Sequence, residues 1–114
     1  MKAQPDQLML TLRDDFRHHL EQFYASLHLA PPYNSIEKAI RFLSTAFQQK
    51  SRDEQEQLTT HLPLKWALFE QAFLESGLPL KHRGIICRLV QSNKLTDLPT
   101  QYQAFTKPFL AKPE

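Results

Sequence analysis

A chain of 114 residues, 41% hydrophobic and 23% charged, is too apolar for disorder and too short for a second core, so a single globular domain is expected. Its one cysteine, Cys87, excludes an internal disulfide and points to a reducing compartment, and no uncharged apolar run of about 18 residues offers a membrane span. The net charge of +2 is unevenly placed: residues 78–114 carry six bases against two acids, a balance that suits phosphate or an acidic partner.

The opening stretch MKAQPDQLML has neither the long apolar run nor the small-residue cleavage site of a secretory signal, so a cytoplasmic location is expected. Only two glycines occur, and apolar residues recur every three or four positions rather than in alternation. Both facts predict an all-α fold, a single bundle of about five helices with short loops spanning residues 1–114. Helix one is expected from Pro5 to His28. At about 100° per residue, Leu8, Met9, Leu12, Phe16, Leu20, Phe23 and Leu27 fall on one arc, with Asp14, Arg17, His18 and Glu21 opposite. Pro31-Pro32 is expected to stop it.

Helix two is expected to start at Asn34, with Glu37 completing a capping-box-like signal and Ile36, Ile40, Leu43 and Phe47 forming its apolar stripe. Helix three starts at Ser51, where Ser51-Arg-Asp-Glu54 is a capping box with acids in the first turn, and it should end before Pro63. Helix four covers Leu64 to Ser76. Its apolar residues on all sides predict a central place in the bundle, and Gly77 suits the left-handed position just past its end.

Helix five is expected from Leu80 to Ser92 and carries the main asymmetry of the chain. The 21 positions between Glu75 and Asp97 contain no acid, yet hold Lys81, His82, Arg83, Arg88 and Lys94. On its wheel Ile85, Ile86, Leu89 and Val90 form a buried arc, Lys81 and Arg88 lie along one edge, and Arg83 and Lys94 along the other. Gly84, Cys87 and Gln91 make a small neutral outward strip. Helix four, Gly77 and helix five together outline a helix-turn-helix. In that setting Lys81, Arg83, Arg88 and Lys94 would meet phosphates, with Gln91 free for a base edge; the same residues would equally meet the acids of a partner protein. The bland alternative is a helical hairpin whose basic side chains lie along the margins of a buried stripe. A last short helix is expected to open at Thr96-Asp-Leu-Pro99 and run through Phe105. Pro108 should then end regular structure, leaving residues 106–114 as a loop or a docked tail.

The remaining chemistry is sparse. His18 and His19 are adjacent and point in different directions on a helix, so metal binding is not expected, whereas Asp14/His18 and Asp15/His19 have the spacing of helix-surface pairs. No paired-carboxylate or nucleophile-and-base pattern points to catalysis, two glycines do not make a phosphate-cradling loop, and no cofactor is expected. Tyr33, beside Pro31-Pro32, and Phe42, off the helix-two stripe, are candidate anchors at a protein interface.

The stretches NSIEKAIRFLSTAF (residues 34–47) and LPLKWALFEQAF (residues 62–73) together resemble the start of FinO/ProQ-type RNA-chaperone domains, which have an amphipathic helix followed by a PLK-led helix. The resemblance covers about a quarter of the chain and implies RNA binding. The aromatic- and arginine-rich region that follows in that family is missing, and Trp66 stands where a small residue is usual. The residues themselves point first to a small non-enzymatic cytoplasmic regulator or adaptor acting by protein–protein contact, with self-association expected of so small a core. Nucleic-acid binding through residues 80–94 is the alternative.

Overall fold

In the computed structural model, which describes residues 5–92, 98 and 100–110, the apolar arc at the start of the chain folds as α1 (Pro5–Ser26). Leu12, Phe16, Leu20, Phe23, Tyr24 and Leu27 are buried, and Leu8 and Met9 pack partly against them. The helix does not run on to the prolines. His28 takes a left-handed conformation (φ 59°), the Leu29 amide donates to the Tyr24 carbonyl at 3.0 Å, and the His28 amide donates to the Ala25 carbonyl at 3.0 Å. This is a Schellman ending, which satisfies the last carbonyls and turns Leu29 back toward the core at His28, three residues before Pro31 could act.

Helix α2 (Tyr33–Gln48) buries Ile36, Ala39, Ile40, Leu43 and Phe47, which includes the whole expected stripe. The expected Asn34–Glu37 cap does not form. Pro32 holds the cap position without a side-chain bond, Asn34 lies inside the first turn, and Glu37 instead accepts from Arg17 of α1 at 2.8 Å. An ion pair between two helices has taken the carboxylate that a local cap would have used.

Helix α3 (Arg52–Thr60) carries the capping box read from the sequence: the Ser51 hydroxyl accepts from the Glu54 amide at 3.2 Å, and the Glu54 carboxylate accepts from the Ser51 amide at 3.3 Å. The Gln55 side chain donates to the carbonyls of Phe47 and Lys50, tying α3 to the end of α2. Ser51→Ala should therefore cost about 1 kcal/mol of stability. Urea denaturation checks this, with Ser51→Asp, which can still cap, close to the unaltered chain.

Helix α4 (Leu62–Glu75) begins two residues earlier than expected. Pro63 sits in its first turn, where a missing N–H has no partner to lose, and the His61 ring nitrogen Nδ1 accepts from the Leu64 amide at 3.4 Å. Leu68, Phe69, Ala72 and Phe73 are buried, with Phe69 stacked on Phe16 of α1, but Leu62, Leu64, Ala67 and Leu74 are exposed. Helix α4 packs against α2, α3 and α6, the central place its apolar residues predicted, yet its apolar character exceeds what the bundle covers.

A 3-10 turn (Leu78–Leu80) leads to α5 (Arg83–Gln91), and a second (Thr100–Tyr102) leads into α6 (Gln103–Leu110). The described residues thus form an all-α bundle of six helices with no strand among them. Helix α6 lies later than the sequence suggested and passes through Pro108 rather than stopping there. The reason is burial. Tyr102, Phe105 and Phe109 are spaced to enter one core face, and all three are enclosed. Phe105 meets Phe73 at 5.0 Å, Phe23 at 5.4 Å and Trp66 at 5.5 Å between ring centroids. That gain outweighs one lost helical hydrogen bond. Lys107 also reaches Glu70 of α4 at 3.5 Å. Residues 106–110 therefore continue the helix rather than form a loop; the remaining four lie outside the described residues.

Candidate interaction surface

The segment that carries the acid-free charge is tied to the core at its base by hydrogen bonds and one buried leucine. The Ser76 hydroxyl donates to the Phe73 carbonyl at 2.9 Å and accepts from the Leu78 amide at 3.2 Å, and Gly77 makes the turn in a left-handed conformation (φ 81°). Leu78 is fully buried, and its carbonyl accepts from the hydroxyl of Tyr24 on α1 at 3.5 Å. Burial pushes the Tyr24 phenol above its ordinary range, so it stays a neutral donor. His82 precedes α5 in a second left-handed conformation (φ 57°), its ring edge-on to Tyr24 at 6.1 Å.

Residues 76–82 form a longer link than the three- or four-residue turn of a helix-turn-helix, and the main packing partner of α5 is α6 rather than α4. The helix-turn-helix outline is therefore not reproduced. The orientation of α5 also differs from the wheel. Ile86 is buried, Cys87, Leu89 and Val90 are half-buried against the core, and Ile85 is 41% exposed. The outward pole is Arg88, flanked by Gly84 and Gln91, and not the neutral strip through Cys87. Helix α5 packs mainly on α6, with Cys87, Leu89 and Val90 turned toward the core and Ile85 away from it.

Lys81, Arg83, Arg88 and Gln91 are all exposed, as the sequence reading required, while Lys94 lies outside the described residues. Arg88 lies back along the helix, its Nε donating to the Gly84 carbonyl at 3.2 Å. None of Lys81, Arg83 and Arg88 has an ion-pair partner among the described residues. The first turn of α5 has neither an acid nor a side-chain cap. Leu80 stands 70% exposed beside Lys81. Ile85, Arg88, Leu89, Gln91 and Ser92 line one shallow, open depression. The surface is thus mixed, with cations set around exposed aliphatic side chains. Of the two candidate anchors elsewhere, Tyr33 is 58% exposed at the start of α2, whereas Phe42 is half-buried and packs against the core.

A second polar constellation joins three elements. Asp15 on α1 accepts from Lys65 of α4 at 2.8 Å and pairs with His19 Nε2 at 3.1 Å, while His19 Nδ1 lies 3.2 Å from the Tyr102 hydroxyl. Trp66 packs on the His19 ring at 4.9 Å. Burial, partly offset by Asp15, holds the His19 pKa below its ordinary value, and Lys65 and His18 lower it further. A neutral His19 donating to Asp15 from Nε2 leaves Nδ1 to accept from Tyr102. The Asp15/His19 spacing was visible in sequence; Lys65 and Tyr102, distant along the chain, were not. Asp14, by contrast, faces Arg17 at 3.6 Å rather than His18. Among the described residues no three His, Cys, Asp or Glu side chains converge in a group that could hold a metal ion, and no helix is long and apolar enough to cross a membrane. Comparison with protein-family models, with curated proteins and with solved structures returns no match.

Proposed function

We propose that this chain is a small non-enzymatic regulator or adaptor that binds another protein through the α5 surface, and that the partner presents an acidic amphipathic segment. The observation that carries the reading is the exposure of Leu80 and Ile85 among Lys81, Arg83 and Arg88, cations with no ion-pair partner among the described residues. A partner helix with aliphatic and acidic faces would cover the first pair and neutralise the others, and its carboxylate would suit the uncapped first turn of α5. Exposed aliphatics of this size contribute little to a phosphate surface, which is why a protein partner is preferred. A cytoplasmic location fits the single cysteine.

A second reading, nucleic-acid binding through the same helix, has one specific support: residues 76–96 contain no acid that would repel a phosphate backbone. One experiment separates the two. The chain is titrated with a glutamate-rich amphipathic peptide and with a mixed DNA and RNA pool at low salt. The protein reading expects saturable peptide binding that Arg83→Glu/Arg88→Glu abolishes and that salt weakens only modestly. The nucleic-acid reading expects a shift of the pool that falls steeply with salt, at a slope set by the phosphates neutralised. Absence of peptide binding removes the first reading, and absence of a shift removes the second.

A further inference from the structure

We infer that the outer face of α4 is a self-complementary interface through which two copies of this chain pair as an antiparallel, two-fold symmetric dimer. It is separate from the α5 surface and does not depend on the function proposed for it.

Leu64, Ala67, Gln71 and Leu74 are spaced three, four and three residues apart, which is the seam of a helix pair, and all four are exposed. Leu64 is 42% and Leu74 is 47% exposed. The other face of α4, with Leu68, Phe69, Ala72 and Phe73, is already spent on the core. The seam borders α3 on one side, and Gln71 donates to Glu75 within α4 at 3.4 Å, but no described helix covers its outward face.

The occupant follows from the register. Leu64 and Leu74 share a midpoint at position 69, and so do Ala67 and Gln71. If a second α4 is laid antiparallel about that point, each Leu64 meets the partner's Leu74 and each Ala67 meets the partner's Gln71. Large faces large at both ends, and small faces long in the middle. A two-fold interface requires this: residue i meets j, and j meets i. The small Ala67 lets the axes approach to about 8 Å.

Shape and charge agree with that register. Beside the seam, α3 and α4 enclose a groove floored by Leu58, Leu64, Ala67 and Leu68 and rimmed by polar side chains. The Leu74 of a second copy would enter it as a knob enters a hole. Glu75, next to Leu74, would then lie by the first turn of the opposite α4, a positive helix end that has no acid of its own. Antiparallel helix dipoles add to this.

The test uses sedimentation velocity on the full chain from low micromolar to several hundred micromolar, with cross-linking in a Cys87→Ala background. A concentration-dependent dimer is expected, and Ala67→Glu should abolish it without changing the helical circular dichroism. Should that variant fail to fold, Gln71→Arg serves in its place. Mixed Leu64→Cys and Leu74→Cys chains should form a disulfide-linked heterodimer. Leu64→Cys alone should not, because the two copies of position 64 would lie about 15 Å apart along the axis, beyond disulfide reach. A monomer at every concentration, a dimer indifferent to a charge at position 67, or efficient Leu64→Cys self-linkage would each overturn the inference. Arg83→Glu/Arg88→Glu should leave the dimer intact, so failure here and failure of the α5 reading are distinguishable.

Discussion

Phe105→Ala should cost about 3–5 kcal/mol and leave the chain largely unfolded at moderate temperature. Phe105 is fully buried in α6, a short helix near the end of the chain, yet its ring lies among those of Phe16, Phe23, Trp66, Phe73 and Tyr102, which come from three other elements. Truncation removes the transfer energy of the ring and leaves a cavity walled by rigid aromatics that cannot collapse into it. The total stability of a domain is only about 5–15 kcal/mol, so one such loss takes much of it. Phe105→Leu, which refills part of the space, should recover a good share. Thermal unfolding followed by circular dichroism checks both. If α6 were instead a loosely docked tail, Phe105→Ala would shift the midpoint by no more than a surface substitution does.

The sequence placed Phe105 in a last short helix but ended that helix before Pro108, and the reason it continues is instructive. Pro108 is a local signal for the end of a helix, and burial of Tyr102, Phe105 and Phe109 is a non-local gain that overrides it. The pattern recurs wherever sequence and structure part. Glu37 has the spacing of a capping residue, but an arginine on another helix holds it. His28 ends α1 before two prolines can, because a residue in the left-handed region lets Leu29 fold back on the core. Signals with no competing partner elsewhere in the fold were legible: the Ser51–Glu54 cap and the Asp15–His19 pair stand where their spacing put them, and the stripes of α1 and α2 face the core, Leu8 and Met9 only partly buried.

The basic surface was half legible for the same reason. That Lys81, Arg83, Arg88 and Gln91 would be exposed follows from their chemistry. Which side of α5 faces out depends on α6, and no wheel drawn for an isolated helix contains that information. The rotation turned Arg88 to the pole and brought Ile85 into the open. A charged edge became a mixed aliphatic and basic patch, which suits the protein partner that the sequence already favoured over nucleic acid.

Stability should also fall as the pH drops below the ordinary histidine value near 6.5, with His19 the main cause. The sign follows from its surroundings. Burial against Trp66 and Tyr102 disfavours the imidazolium, as do Lys65 and His18, while Asp15 favours it but does not prevail. The folded pKa therefore lies below the unfolded one. The unfolded chain binds the proton more readily, so the contribution of His19 is complete above the unfolded value and is lost as the pH falls toward the folded one. His19→Phe keeps the ring packing and removes the proton, so the stability difference between the two chains should change across this interval and be flat above it. Parallel pH profiles would refute the assignment. Asp15→Asn tests the same cluster from its other end. Lys65, whose side chain is only 16% exposed, loses its counter-ion, and a loss of about 2 kcal/mol is expected at neutral pH. Asp15→Asn combined with Lys65→Met should recover part of that loss, because most of the cost lies in leaving the ammonium sheltered and unpaired. Equal stability of the single and double variants would show that the Lys65–Asp15 contact is an exposed ion pair of little consequence.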